Sequence, residues 1–404
     1  MKILVLNAGS SSIKYDLYEG PGWTVLAAGV LQGIGAAEGR LVHRTRLPDG
    51  RLQEEVGPGA TLDHRDGLQR VFAALAASGW IRDGSGLGGI GHRVVHGGAR
   101  FRGPALIDDE VLAALRESVQ LAPLHNPSSL RGIEVARELC PDVPQVAVCD
   151  TAFHHTLPPR AYRYALPREL ADRLAIRRYG FHGTSHAYVS REAAALLGRP
   201  LEALRLITLH LGNGASAAAI DRGRSIDTSM GMTPLEGLVM GTRSGDLDPA
   251  VVGHLVRSGA AATTDVDVLL NEQSGLLGLC GTGDVREVLR RVAAGDADAA
   301  LAVDVYCYRV RKYVGAYLAV LGGLDALVFT AGVGENSPEI RARCCEGLGH
   351  LGIALDDARN RAPGHAARPI QRYGAPVAVL VVPTNEELEI ARQTLGCIEA
   401  ARRG

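Results

Sequence analysis

Three stretches of the chain, Lys2–Tyr18, Leu204–Ile220 and Asp325–Ile340, join a short apolar run to a turn of small and polar residues. The first turn reads Asn7-Ala8-Gly9-Ser10-Ser11-Ser12 and the second Gly212-Asn213-Gly214-Ala215-Ser216. Such turns aim backbone N–H groups and short hydroxyls at one point, which is how a protein cradles a polyphosphate. Other ligand signatures fail on their context. Gly86-x-Gly88-x-x-Gly91 has dinucleotide spacing, but Arg82-Asp83-Gly84-Ser85 precedes it instead of an apolar strand, and no helix pattern follows. The GxxxxGK(S/T) run of Walker-type NTPases is absent. His92/His96 and His182/His186 have the i,i+4 spacing of a metal pair without an HExxH glutamate or a third ligand, so they read as hydrogen-bonded histidines. The 7 cysteines form no CxxC pair and read as reduced, mostly buried thiols, not a disulfide framework or zinc ribbon.

Positioning those turns requires alternating strands and helices. Each of the three stretches reads as strand, turn, then a second strand or a helix. The strand–turn–strand pattern returns about half a chain later, which suggests a duplicated domain. Amphipathic helices are expected at Asp108–Gln120, Pro127–Leu139, Ser185–Leu197 and Asp298–Leu321, with strands at Ala326–Thr330 and Val377–Val382, giving α/β layers. A last helix, from Thr384 to about Gly396, would follow the second half and pack back on the first. Its opening run Thr384-Asn385-Glu386-Glu387 reads as a capping box with Glu387 at the third position, which leaves Glu386 unexplained by capping.

Composition narrows the partners. A chain of 404 residues, 46% apolar, fills two ordinary cores with a cleft expected between them. Its formal charge of −1 offers no field to draw a polyanion, so no nucleic acid is expected. The apolar run Ile3–Leu6 is too short for a signal-peptide core and no run approaches a membrane span, so a cytoplasmic protein with no membrane partner is expected. Lysine occurs only at Lys2, Lys14 and Lys312; the remaining cations are arginines, which suit bidentate recognition of carboxylate or phosphate.

Longer motifs carry a resemblance that runs from end to end. They are Asn7–Lys14, Gly91-His-Arg93-Val-Val-His-Gly-Gly98, Asp150-Thr-Ala-Phe-His154, Tyr179-Gly-Phe-His-Gly-Thr-Ser-His186 and His210–Ser216. Then follow Asp227–Gly237, Gly241-Thr-Arg-Ser-Gly-Asp246, Thr330-Ala-Gly-Val-Gly-Glu-Asn-Ser337 and Pro383–Glu387. In these residues the chain resembles the acetate kinases. The resemblance implies the duplicated ribonuclease-H-like α/β fold shared with actin and chaperone ATPases. The domains implied are 1–149 completed by 386–404, and 150–385. It also implies a homodimer, ATP/ADP and acetate/acetyl phosphate as substrates, and Mg²⁺ or Mn²⁺ as the metal. Cys149 stands where the family pattern would place phenylalanine, which bears on packing beside Asp150.

Acetate is already ionised at neutral pH, so this nucleophile needs no general base, and the obstacle is repulsion between anions. Arg93 and Arg243 are the natural clamp for carboxylate and γ-phosphate, and His182 would donate to the transferring oxygens. Asp150 matches a residue often given acid–base duty in the family, while the acidity of acetate favours an orienting role. Asn7 and Glu386 resemble the metal-site residues. Ser10, Ser12 and Lys14 resemble one phosphate turn, and His210, Leu211, Gly212, Asn213 and Gly214 the other. Gly332, Val333, Gly334, Glu335 and Asn336 resemble the adenosine turn, with Asp284, Val285 and Arg286 beside ribose and base. Val95, Leu124, Phe181 and Pro234 would line the methyl pocket. Two other readings share the motifs: a propionate or other short-chain acyl kinase, and an actin- or chaperone-like ATPase switch, against which Arg93 and Arg243 speak.

Overall fold

Strand β1 (Lys2–Ala8) is apolar on both faces, and its side-chain alternation feeds two cores at once. Leu4, Leu6 and Ala8 pack with Leu68, Val71 and Leu75 of the His64–Ala77 helix and Val135 and Ala136 of the Asn126–Leu139 helix. Ile3 and Val5 face the other way, onto Ile390, Ala391 and Ile398 of the C-terminal Glu386–Arg403 helix. The computed structural model describes residues 1–81, 86–123 and 125–403; Arg82–Ser85, Leu124 and Gly404 lie outside the described residues.

Around β1 the chain adds β2 (Ser12–Glu19), β3 (Thr24–Gln32), β4 (Arg40–Arg46), β5 (Leu52–Pro58), β6 (Leu87–Val94), β7 (Ala105–Leu106) and β8 (Gln145–Cys149) in the order β5-β4-β3-β2-β1-β6-β8-β7. A second sheet holds β9 (Arg205–Leu211), β10 (Ala215–Asp221), β11 (Arg224–Thr228), β12 (Ala326–Thr330), β13 (Arg368–Pro369) and β14 (Ala378–Val381) in the order β11-β10-β9-β12-β14-β13. The two sheets repeat one plan. In each, three antiparallel strands are followed by two parallel ones: β3-β2-β1 then β6-β8, and β11-β10-β9 then β12-β14. This is a mixed α/β chain with a duplicated ribonuclease-H-like core. Met1–Ala152 with Asn385–Gly404 form one compact unit, and Phe153–Thr384 form the other.

Several expectations need correction. The terminal helix starts at Glu386, one residue later than the capping box implies, and runs on to Arg403. Asn385 is the residue that caps it, since its Oδ1 accepts from Leu388 N at 2.9 Å. Thr384 turns elsewhere, its hydroxyl 2.8 Å from Ser185 Oγ. Arg93, from the Gly91–Gly98 motif, lies in β6. The Gly86-x-Gly88-x-x-Gly91 run also falls largely in β6, where its glycines serve packing: a Cβ on Gly89 would overlap Ile398, and one on Gly91 would overlap Thr394 of the C-terminal helix.

Candidate functional site

In the first unit, parallel pairing of β6 and β8 sets Arg93 opposite Val148 and Val94 opposite Cys149, so that Asp150, the next residue, reaches the Arg93 guanidinium. Arg93 Nε donates to both Asp150 oxygens at 3.1 and 3.2 Å, and Nη2 donates to Oδ2 at 2.7 Å. Asp150 is buried, while Arg93 keeps 23% of its side chain exposed. Asp150 raises the Arg93 pKa above its ordinary range against the opposing effect of burial. One edge of the guanidinium is thus committed, and Nη1 has no acceptor among the described residues. Glu386 Oε2 stands 3.7 Å from Nη2.

The loop after β6 carries Val95, half-buried, and is pinned by Asn126, which accepts from His96 N at 3.1 Å and donates to His96 O at 2.8 Å. Cys149 is buried against Gly97, where a Cβ would sit 2.7 Å from its sulfur. Leu124, expected beside Val95, lies outside the described residues. Asn7 ends the apolar part of β1 opposite Lys14 of β2, and the Lys14 ammonium is ion-paired with Glu387. Ser10 is exposed and Ser12 half-buried in a turn closed by Gly9 N donating to Ser12 O at 2.8 Å. Asn7 and Glu386 are hard oxygen donors in one unit, and no three His, Cys, Asp or Glu among the described residues are placed to hold a metal ion together. That donor set fits Mg²⁺, which keeps several waters and takes phosphate oxygens beside one or two protein ligands.

In the second unit His182 stands at the N-terminus of the Gly183–Leu197 helix with φ 54° and ψ 27°, a left-handed backbone that a non-glycine residue adopts at a cost of about 1–2 kcal/mol. Its ring stacks on His210 at 4.1 Å between centroids. A Cβ built on Gly214 would lie 3.4 Å from Arg243 Nη1 and 3.5 Å from His182 Nε2, so one glycine turn brings both side chains together. Arg243 Nη1 donates to Pro234 O at 3.3 Å and lies 3.7 Å from Met240 sulfur; no carboxylate pairs with it among the described residues. Burial alone lowers its pKa. A half-buried guanidinium without a carboxylate partner is chemically suited to take an anionic ligand. Phe181 is buried, its carbonyl accepting from His154 Nε2 at 3.0 Å. Pro234 is half-buried beside Arg243.

The remaining turn residues divide between open surface and internal bracing. His210 Nδ1 meets Ser185 Oγ at 2.8 Å, Leu211 is buried at the end of β9, and Gly212 N donates to Gly214 O at 3.0 Å across exposed Asn213. Glu335 is used as a brace, its Oε1 accepting from Ala331 N at 2.8 Å and Thr384 N at 3.0 Å. Asn336 donates to Gly332 O at 2.8 Å, Val333 is half-buried and Gly334 is buried. Gly332 is exposed with nothing within 4 Å of a built Cβ. Asp284 caps the Val285–Ala293 helix through Arg286 N and pairs with the Arg286 guanidinium, which holds its carboxyl at about 2; Val285 is buried.

His92 is the hydrogen-bonded histidine that sequence reading expected, while two groups near these residues, Asp16 and Asn126, were missed. His92 is a satisfied core histidine, 2.8 Å from Gln145 Oε1, with burial pushing its pKa to about 4. Asp16 sits buried in β2, pushed up to about 6 by burial and by Glu387. Its signal is a carboxylate inside an otherwise buried strand run, Tyr15 to Tyr18. Asn126 has no signal of its own, because its partners at His96 lie 30 residues away.

Two sheets that share one strand plan, each with a hairpin of small residues at the end of its first strand, define an α/β protein of the duplicated ribonuclease-H-like class. The acetokinase family description matches residues 2–392. The acetate kinase of Streptomyces coelicolor is 55% identical over 397 residues, covering 98% of this chain and 97% of that protein. A solved acetate kinase from Porphyromonas gingivalis superposes with a TM-score of 0.92 at 42% identity, covering 98% of this chain and 99% of the other. A solved propionate kinase from Francisella tularensis superposes with a TM-score of 0.90 at 39% identity over 98% and 99%. The chain belongs to the acetokinase family and is a kinase of the acetate kinase type.

Proposed function

We propose that this enzyme transfers the γ-phosphoryl group of ATP reversibly to acetate, in preference to longer acyl groups, by direct in-line displacement. The carrying observation is Arg243, a half-buried cation with no carboxylate partner among the described residues and with His182 beside it across Gly214. An acetate oxygen forms a bond to the γ-phosphorus while the bond to the ADP oxygen breaks. Negative charge on the equatorial oxygens is met by Arg243 and by a hydrogen bond from His182. Arg93 holds the acetate carboxylate through its uncommitted edge. Asp150 has both oxygens engaged with Arg93, so it orients the arginine and takes no proton. Asn7 and Glu386 would hold Mg²⁺, with Mn²⁺ as its substitute; when bound, the ion neutralises β- and γ-phosphate charge.

ATP and ADP would lie along Ser10, Ser12 and Lys14, the His210–Gly214 turn, Asp284–Arg286 and the Gly332–Asn336 turn. Gly332 discriminates this role from ordinary turn chemistry, because its backbone is not left-handed and no protein atom crowds it. Gly332→Ala is expected to stabilise the fold by up to about 1 kcal/mol through helix propensity. It should at the same time raise the KM for ATP by roughly tenfold or more through overpacking against the base. Thermal melts with and without nucleotide, beside steady-state kinetics, check both signs; an unchanged KM removes Gly332 from the adenosine site.

Val95, Leu124, Phe181 and Pro234 are assigned to the methyl pocket. One methylene is worth about 1–3 kcal/mol in such a pocket, so kcat/KM should fall roughly ten- to two-hundred-fold from acetate to propionate. Trapping the acyl phosphate with hydroxylamine measures both rates. Val95→Ala should narrow the gap by making room beside the methyl, and an unchanged ratio would remove Val95 from the pocket. A preference for propionate in the wild type would instead make the chain a propionate kinase.

We also infer a cytoplasmic homodimer that acts without nucleic acid or membrane. Its 7 unpaired thiols suit a reducing compartment, and its charge of −1 gives no field for a polyanion. Leu301, Tyr308 and Val320, each more than half exposed on the Ala297–Leu321 helix, supply apolar surface for a second copy.

A further inference from the structure

Three buried groups stand in line behind His182. Its Nδ1 lies 2.9 Å from Ser216 Oγ, Ser216 Oγ lies 2.8 Å from His186 Nε2, and His186 Nδ1 lies 2.7 Å from Thr208 Oγ1. Ser216, His186 and Thr208 are fully buried, on β10, on the helix one turn past His182, and on β9. Thr208 Oγ1 has His186 as its one hydrogen-bond partner among the described residues. Burial, with repulsion from His154 and His210, pushes His186 far below its ordinary pKa, so its ring is neutral. A neutral imidazole donates from one nitrogen and accepts at the other.

Only two wirings of the line are therefore open. In one, the protons point inward: His182 Nδ1–H donates to Ser216, Ser216 O–H donates to His186 Nε2, and His186 Nδ1–H donates to Thr208. The Thr208 hydroxyl proton is then stranded in a dry site. In the other, Thr208 O–H donates to His186 Nδ1, His186 Nε2–H donates to Ser216, and Ser216 O–H donates to His182 Nδ1. Every proton between Thr208 and His182 Nδ1 has an acceptor in this wiring. The cost of an orphaned buried hydroxyl favours it by about ten- to a hundredfold in population.

We propose that Thr208, acting through His186 and Ser216, is a positioning residue that sets the tautomer of His182, keeping Nδ1 an acceptor and the proton on Nε2. The inference rests on the role given to His182 in phosphoryl transfer. The Nε2 edge is the one that faces Gly214 near Arg243. A neutral ring wired this way donates to an anionic phosphoryl oxygen, whereas the opposite tautomer presents a lone pair to it.

Nitrogen NMR on the full chain carrying ¹⁵N-histidine tests the wiring, with the His182 signals identified by their loss in His182→Gln. The expected wild-type spectrum has an unprotonated, pyridine-like Nδ1 and a protonated Nε2 on both His182 and His186. Thr208→Val, an isosteric change, takes away the terminal proton and makes the two wirings nearly equal. His182 should then report a mixture of tautomers, and kcat should fall about twofold or more with the nucleotide KM unchanged. Thr208→Ser should restore both. A purely structural threonine would lower thermal stability in Thr208→Val while leaving the His182 tautomer alone, and that result overturns the proposal. So does a wild-type His182 or His186 protonated at Nδ1, a measurement that stands even if Thr208→Val fails to fold. Full kcat in His182→Gln together with a tautomer shift in Thr208→Val would remove the catalytic role of His182 and leave the wiring supported.

Discussion

Arg243→Lys is expected to lower kcat about a hundred- to a thousandfold while moving the KM for ATP only a few-fold, the size of effect seen when one preorganised donor to a transition-state oxygen is lost. The guanidinium is held from one side, by Pro234 O and Met240 sulfur at Nη1, which leaves Nε and Nη2 for the ligand. A lysine ammonium could restore the charge but not two parallel donors in one plane. The loss therefore falls on the step in which charge spreads over several oxygens, more than on ground-state binding. Because no carboxylate is left unpaired by the change, stability should move little, and a thermal melt separates damage to the fold from damage to the step. A loss confined to KM would mean that Arg243 grips the ground-state nucleotide and contributes nothing further in transfer.

Asp150→Asn is expected to be costly in two measurements at once. The carboxylate accepts three contacts from Arg93 and is buried, so an amide in its place turns one acceptor into a donor facing the guanidinium. Breaking such a pair leaves a charge without its partner, at about 3–5 kcal/mol. Part of that should appear as a lower Tm and part as a kcat reduced roughly a hundredfold, because Arg93 no longer presents its outer edge in one orientation. The shape of the pH profile is the discriminating observation. With Asp150 as an orienting group, the profile of Asp150→Asn keeps the wild-type acidic limb apart from the titration of acetate itself; disappearance of an enzyme-derived limb would restore a general base.

Much of the molecule is legible in local pattern. Period-two and period-3.6 hydrophobic spacing places β12 at Ala326–Thr330 and the helices near Asn126–Leu139, Gly183–Leu197 and Ala297–Leu321, since each rests on neighbours within a turn or a strand. The duplication is legible too, because a strand–turn–strand of small residues is a local signal that occurs twice. Motif resemblance names candidate reactive residues one by one. What local pattern leaves open is which polar groups join. Arg93 and Asp150 are 57 residues apart and meet only because β6 and β8 pair in parallel at one register, a choice made by the packing of the whole sheet.

The same limit explains the cap and the braces. Thr384 and Asn385 can both start a helix, and local chemistry alone does not rank them; tertiary contacts draw Thr384 to Ser185 and Glu335, leaving Asn385 to cap. Glu335 looks like a solvent-facing member of a nucleotide turn until the end of β14 brings Thr384 N onto its carboxylate. His186 reads as half of a failed metal pair, and only the β9–β10 hairpin, which sets Thr208 and Ser216 on either side of its ring, gives it a hydrogen-bond line to His182. Sequence by itself determined the residue types, the turns and the family, because these are carried by neighbours along the chain. Tertiary structure decided how the charged and titratable groups are paired, because an unpaired buried polar atom is costly and the partners that satisfy it are distant in sequence.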